Sequence, residues 1–183
     1  MTLNRMSGFT LVEILIAVAV VAILLTIGIP SFRYVTNSNR IAAEINGLLG
    51  DMQYARAEAV KEGQPVTVCV SANGATCANV NTWQSGWIVF SDVNGNAAVD
   101  IATDVVLRIQ KPFSSTDTFV ATHAVGAVTF NREGYAAGIA NGTLMALHDS
   151  TNTSNWTRCL SINLVGMMAS QTFGTTVNGV TCN

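Results

Sequence analysis

The sequence predicts an α+β protein. One long N-terminal helix, apolar in its first half and amphipathic in its second, packs on a mainly antiparallel β-sheet domain. Three observations lead there. From Phe9 to Ile29 every residue except Thr10, Glu13, Thr26 and Gly28 is apolar, a run about long enough for a helix to cross a ~30 Å hydrocarbon core. From Ile41 to Ala59 apolar residues recur at three- and four-residue steps, the period of a helix that buries one stripe. Beyond Pro65 the period drops to two, in short β-branched runs bounded by Gly, Asn, Asp and Ser.

Taken in order, the chain divides into a short leader (1–8), a membrane-crossing half-helix (9–29), an amphipathic half-helix (30–62) and a β-rich domain (63–183). The leader carries Arg5 and is followed at once by the apolar run. Cleavable secretory signals share that layout, but this run is longer than a usual signal core, Glu13 sits inside its start, and no Ala-x-Ala site follows. Arg5 lies before the span and Arg33 and Arg40 after it, so the positive-inside count does not orient the segment.

Glu13 is the anomaly of the apolar run, because a carboxylate near lipid costs on the order of 3 kcal/mol even on lenient insertion scales. Two roles fit it. Thr10-Leu11-Val12-Glu13 has the spelling of a capping box, in which Thr10 accepts from the backbone N–H of Glu13. Glu13 could also pair with a positive charge brought by another subunit, most simply a free amino terminus made by cleavage between Gly8 and Phe9.

In the second half of the helix, Ile41, Ile45, Leu48, Leu49, Met52, Ala55 and Ala59 form the stripe, with Arg40, Glu44, Asp51, Arg56, Glu58 and Lys61 between them. Gly63-Gln64-Pro65 ends it: glycine admits a left-handed cap and proline cannot continue. Unbroken from Thr10 to Glu62, the helix would be roughly 80 Å long. Gly28 and Pro30 mark a kink or a local melting point between the halves, since proline removes one backbone hydrogen bond.

Strands are expected at Val66–Val70, Gly86–Phe90, Val105–Ile109, Val125–Phe130, Thr143–Leu147 and Arg158–Ile162, with Asp149 to Asn155 a polar turn. What remains after one membrane segment is enough for one globular domain. Nine basic residues against eleven acidic ones and a pI near 5.5 offer no general attraction for nucleic acid or anionic lipid. Only 11% of residues are charged and the mean hydropathy is +0.38, raised by the apolar segment. Cys69, Cys77, Cys159 and Cys182 are neither in Cys-x-x-Cys nor at zinc-finger spacing. An even count beyond a membrane segment points to oxidised pairs in a compartment such as a periplasm, the alternative being buried free thiols. Of the three connectivities, loop closure favours Cys69 with Cys77 and Cys159 with Cys182.

No catalytic motif surrounds His123 or His148, and none of the phosphate, dinucleotide or nucleophile-elbow signatures is present. No enzymatic role and no cofactor is expected. Asp92, Asn94, Asn96 and Asp100 have the oxygen density of a calcium loop. However, Ala97 stands where the turn glycine belongs and no glutamate closes it, and Asx-rich turns are spelled the same way without metal. Trp83, Trp87 and Trp156 read as core or rim packing. The cations Arg56, Lys61, Arg108, Lys111 and Arg132 read as a dispersed, solvated set rather than a patch.

The run Gly8-Phe9-Thr10-Leu11-Val12-Glu13, followed by an apolar stretch and Pro30, resembles the class III signal of type IV prepilins and type II secretion pseudopilins. Four downstream segments, Gly86 to Asn96, Val105 to Arg108, Phe130 to Gly134 and Arg158 to Leu160, resemble the GspH/FimT/FimU branch of minor pilins and pseudopilins. The resemblance covers nearly the whole chain. It implies cleavage after Gly8 by a prepilin peptidase, N-methylation of Phe9 and a registration role for Glu13 in a filament. It further implies other pilins or pseudopilins and an inner-membrane assembly platform as partners, a bacterial inner-membrane location with the domain in the periplasm, and a low-abundance subunit that primes assembly at or near a filament tip. Some FimT-type relatives bind DNA through Gly-Arg-x-Arg near the C-terminus. The corresponding segment here is Gly166-Met167-Met168-Ala169, and no Lys or Arg follows Arg158, so counterion release is lacking there.

Overall fold

A computed structural model describes residues 9–140 and 143–183. The chain forms two compact units, Met1–Ser38 and Asn39–Asn183. Helix α1, Leu11–Glu62, begins in the first unit and ends in the second.

In the first unit α1 is α-helical throughout, Gly28 and Pro30 included, and every described residue from Phe9 to Thr36 is exposed. The hydroxyls of Thr26 and Thr36 donate to the carbonyls of Ile23 and Phe32, on their own helix. Those bonds turn both threonine hydroxyls back onto the helix backbone.

In the second unit the stripe of α1 is the spine of the core. Ile41, Ile45, Leu48, Met52, Ala55 and Ala59 are all buried, and Leu49 packs at the rim. Gly63, at φ +68°, closes the helix by donating its N–H to the Ala59 carbonyl, 3.0 Å away. That left-handed turn is where a side chain would be strained.

Two antiparallel sheets build the domain. The first has the order β3-β2-β1-β5-β6, with β1 at Val66–Val70, β2 at Trp87–Ser91, β3 at Val105–Gln110, β5 at Ala127–Phe130 and β6 at Ala136–Ala137. The second has the order β4-β7-β8-β9, with β4 at Thr118–Ala121, β7 at Thr143–His148, β8 at Arg158–Ile162 and β9 at Met168–Thr172. A small hairpin, β10 (Thr176–Val177) and β11 (Val180–Thr181), follows. Every pairing is antiparallel, and β2 and β3 slip register at Val89/Phe90.

Strand alternation sorts the side chains between the two faces of each sheet. Val66, Val68 and Val70 join the helix-side core with Trp87, Val89, Val128 and Phe130, whereas Cys69, Ile88 and Phe90 point to the opposite face, under Cys77, Val99 and Val106. Both faces being covered, β1 and β2 are buried at every position, which is why they read as continuous apolar runs. In the second sheet Met145, Leu147, Leu160 and Ile162 face the core, while Leu144 and Cys159 face outward beneath Cys182 and Val180. Disulfides Cys69–Cys77 and Cys159–Cys182 fasten a loop and the C-terminal hairpin onto those outer faces.

The expected strand at Val125–Phe130 is shorter than its spelling. Thr122–Ala124 forms a 3₁₀ turn with His123 and Ala124 at positive φ, and the strand starts at Ala127. The five strands beyond the expected six, β4, β6, β9, β10 and β11, are edge or hairpin pieces.

Candidate functional site: an apolar helix and a polar-anchored domain

The first described residues set the geometry of the helix entry. Thr10 Oγ1 accepts from the backbone N–H of Glu13 at 3.3 Å, one half of the capping box, and the Thr10 carbonyl accepts from Ile14 N at 3.3 Å. Glu13 lies in the first turn, where the helix dipole favours a carboxylate. It is the only ionisable side chain between Phe9 and Phe32. Phe9 is 77% exposed and Leu11, Leu15, Ile16 and Val18 are similarly open, so the carboxylate sits at the head of a wholly uncovered apolar surface. One 18-residue window has a mean hydropathy of 2.9 and none of it is buried. Such a surface is stable only in lipid or against other apolar helices. Gly8, the expected cleavage position, lies outside the described residues.

In the second unit the charged residues of α1 are anchors. Arg40 Nε and Nη2 donate to the two oxygens of Asp117, at 2.6 and 2.9 Å, and the Asp117 side chain is fully buried. One helical turn on, Glu44 accepts from Ser115 Oγ at 3.2 Å, while its other oxygen is buried without a hydrogen-bond partner. Burial and the neighbouring Asp117 push the Glu44 carboxyl up to about 7, against the smaller pull of Ser115 and Arg40. Asp51 accepts from the Trp87 indole N–H at 2.9 Å and from Arg108 Nη1 at 2.9 Å, and the Arg108 guanidinium lies 3.7 Å over the Tyr54 ring. Arg56 Nε donates to the Gly134 carbonyl at 2.9 Å and its Nη2 to the Val165 carbonyl at 3.3 Å.

Four of the five cations singled out in the sequence are engaged by groups of the domain itself. Arg56 is held by two carbonyls, Lys61 lies beside Glu58 and Glu62, Arg108 pairs with Asp51, and Arg132 with Glu133. The acidic turn after β2 is a closed hydrogen-bond system. Buried Asp92 accepts from Thr67 Oγ1 at 2.7 Å and from the N–H groups of Asn96 and Ala97. Asp100 accepts from the amides of Asn94 and Asn96, and Asp104 from the backbone of Val93 and Asp100. Among the described residues no group of three His, Cys, Asp or Glu is placed to hold a metal.

Trp83 and Trp87 lie in the core, 6.5 Å apart, and Trp83 donates to the Val125 carbonyl at 3.0 Å. Trp156 is at the rim. His148 contacts Thr157 Oγ1 through Nδ1, and burial holds its pKa below the usual imidazole range. The anchoring roles of Asp117 and Ser115 carry no local sequence signal. Only the presence of ionisable residues flanking the stripe hints that partners exist.

A bare apolar half-helix continuing into a half-helix clamped on two antiparallel sheets defines a pilin-type subunit. A profile described as Prokaryotic N-terminal methylation motif matches residues 3–29. A second, described as Type II transport protein GspH, matches residues 44–166, more than half of the chain. The chain belongs to the GspH family of minor pilins and pseudopilins. Its fold is similar to that of the type IV minor pilin FimU of Pseudomonas aeruginosa PAO1 in two crystal forms. In one, identity is 21%, with 76% of this chain and 92% of that one covered at a TM-score of 0.56. In the other, identity is 22%, with 73% and 91% covered at 0.53. The apolar helix and the prepilin-like N-terminus fit anchoring in an inner membrane and assembly with other pilins.

Proposed function

We propose that this chain is a FimU-like minor pilin, cut after Gly8, N-methylated at Phe9 and built through its exposed helix into a type IV pilus that it helps to prime. The observation that carries the reading is the uncovered apolar surface from Phe9 to Ile29, with Glu13 as its single carboxylate. In a bundle of such helices an unpaired carboxylate in a dry setting penalises wrong axial registers, and a neighbour's free amino terminus supplies the matching charge. The chain waits in the inner membrane with its disulfide-bonded domain in the periplasm. A prepilin peptidase, an assembly platform and the other pilins are its partners. Gly28 and Pro30, helical here, form the segment that yields most easily when the bundle needs the two halves to part.

A second reading is supported by the description of the matching profile: a pseudopilin at the tip of a type II secretion pseudopilus. Both readings use the same helix. A DNA-uptake role has less support, since Arg56 and Arg108 are engaged within the domain and residues 159–183 contain no Lys or Arg.

The test is a pair of variants. Gly8→Ala should leave the leader attached, seen as unchanged mobility on a denaturing gel and an unmethylated N-terminus by mass spectrometry. Glu13→Ala should insert normally but be depleted from sheared filaments. Normal incorporation of Glu13→Ala overturns the register role, and an intact leader on wild-type membrane protein overturns the reading as a whole.

A further inference from the structure

Strand β9 is the outer edge of the second sheet. Its hydrogen-bonding direction follows from its register with β8. Asn163 N donates to Met167 O across the turn, and the pairs continue Ile162 with Met168, Ser161 with Ala169, Leu160 with Ser170 and Cys159 with Gln171. In an antiparallel ladder bonded and non-bonded pairs alternate. Ala169 and Gln171 therefore bond to β8, while the N–H and C=O groups of Met168 and Ser170 point away from the sheet. Thr172 is the third outward residue, and its carbonyl is already taken by Thr175 N.

Exposed edges of this kind are commonly blunted with lysine, proline or a bulge. This one is not. From Cys159 to Asn183 no side chain is ionisable and none is proline. The edge opens onto a groove of about 650 Å³, with Gln53, Ala57 and Val60 of α1 on one side and Met167 and Met168 on the other. Met167 is 65% exposed and Val60 54%, and Tyr135, Leu164 and Val165 are open as well. The floor is rigid. Arg56 clamps the Gly134 and Val165 carbonyls, and a side chain on Gly166 would come within 2.2 Å of the Gly134 carbonyl.

From these features we infer that β9 is a docking edge for an extended, uncharged strand of a neighbouring subunit. Two outward residues offer main-chain hydrogen bonds at the spacing of a strand, and the groove beside α1 takes one apolar side chain; its one charge, Arg56, is already held by the Gly134 and Val165 carbonyls, and the strand itself brings none to pair with an ion on the partner. The flexible methionines let the groove close on side chains of differing shape.

The inference rests on the assembly reading above, and the experiment separates the two. Cells lacking the native copy express wild type, Ser170→Pro, Ser170→Lys or Ile101→Lys, and sheared filaments are probed for the subunit. Proline at 170 removes an outward N–H and spares the bonds to β8. Lysine at 170 puts a charge at the exposed edge, and Ile101→Lys adds the same charge to a remote turn where the side chain is 94% exposed. All variants should be processed, keep both disulfides and melt as wild type does. Both Ser170 variants should fall about threefold to tenfold in the filament fraction, the effect of losing one or two hydrogen bonds at an interface, with Ile101→Lys unchanged. Amide exchange over residues 166–172 should slow in filaments relative to the detergent-extracted chain. If Ser170→Lys is recovered at the wild-type level, strand docking is wrong while the assembly reading stands. If wild type itself is missing from the filaments, the assembly reading falls and the docking edge with it.

Discussion

Glu44→Gln should remove a pH dependence of stability from this domain and raise its stability at alkaline pH. Burial beside Asp117 pushes Glu44 from an ordinary 4.5 up to about 7, so the folded protein holds a proton there that the unfolded chain releases. Between those two values the native state binds more protons, and linkage then requires stability to fall as pH rises. At ~1.36 kcal/mol per pH unit the full displacement is worth about 3 kcal/mol, which partial solvent access to the side chain reduces to ~1–2 kcal/mol. Half-buried His148 works in the opposite sense, because its lowered pKa costs stability as pH falls below the imidazole range. The difference between wild type and Glu44→Gln isolates the carboxylate. Thermal unfolding of the disulfide-intact chain in detergent, followed by tryptophan near-ultraviolet dichroism from pH 4.5 to 8.5, is the assay. The variant should match wild type near pH 4.5 and melt about 3–6 °C higher at pH 8. Equal melting temperatures at pH 8, or a gap that widens toward acid, would refute the placement of Glu44 against Asp117.

Three further outcomes follow from the anchors and clamps. Asp51→Ala leaves the buried Trp87 indole N–H without its acceptor and should cost ~1–3 kcal/mol in chemical denaturation, whereas Arg108→Ala, which removes a half-exposed partner, should cost under ~1 kcal/mol. Gly166→Ala meets the Gly134 carbonyl as well as a φ of +75° and should destabilise by ~2 kcal/mol or more; Gly174→Ala, at φ +80° with open space around it, should cost only the backbone strain of ~1 kcal/mol, and equal melting points for the two would count against the close approach. Cys159→Ser with Cys182→Ser should lower stability by ~3 kcal/mol and let a protease trim the hairpin after Phe173 before it cuts the core, checked by mass spectrometry of the limited digest.

The parts legible in the sequence are those set by periodicity. The stripe from Ile41 to Ala59 names the buried face of α1 because a helix turns it toward one side, and Gly63 ends the helix by a property of its own backbone. Strands β1, β2, β7 and β8 are central, so their apolar runs are dense. Of the edges, β3 is legible from its β-branched run, whereas β4, β6 and β9 are not. Met168–Thr172 is held by ladder bonds on one side, and Thr118–Ala121 by β7 and a short bridge to Asn81 and Thr82; both are short or contain polar, small or exposed residues, so their strand character comes from the neighbours and not from their own spelling. The Asp117–Arg40 pair spans 77 residues and Arg56 reaches Val165 across 109, separations at which no local pattern carries information. The calcium-like spelling of Asp92 to Asp100 shows the same point from the other side. The oxygens are there, and their use was decided by donors as distant as Thr67.

Those long-range polar pairs answer a question that the apolar stripe leaves open. Buried positions of α1 are spaced four, three, four, three and four residues apart, from Ile41 through Ile45, Leu48, Met52, Ala55 and Ala59. A slip of one helical turn, about 5.4 Å along the axis, would place nearly every apolar residue where its neighbour had been. Hydrophobic burial alone therefore separates the correct seating from its one-turn alternative only weakly. Arg40 with Asp117, Glu44 with Ser115, Asp51 with Trp87 and Arg56 with Gly134 and Val165 are spaced irregularly, four, seven and five residues apart. No one-turn slip can remake them, and breaking those that hold a buried group, such as the Asp117 carboxylate or the Trp87 indole N–H, costs ~1–3 kcal/mol each. The charged residues beside the stripe thus fix which turn of the helix meets which strand, and a subunit loaded along its helix in a fibre would hold that register until several anchors failed together.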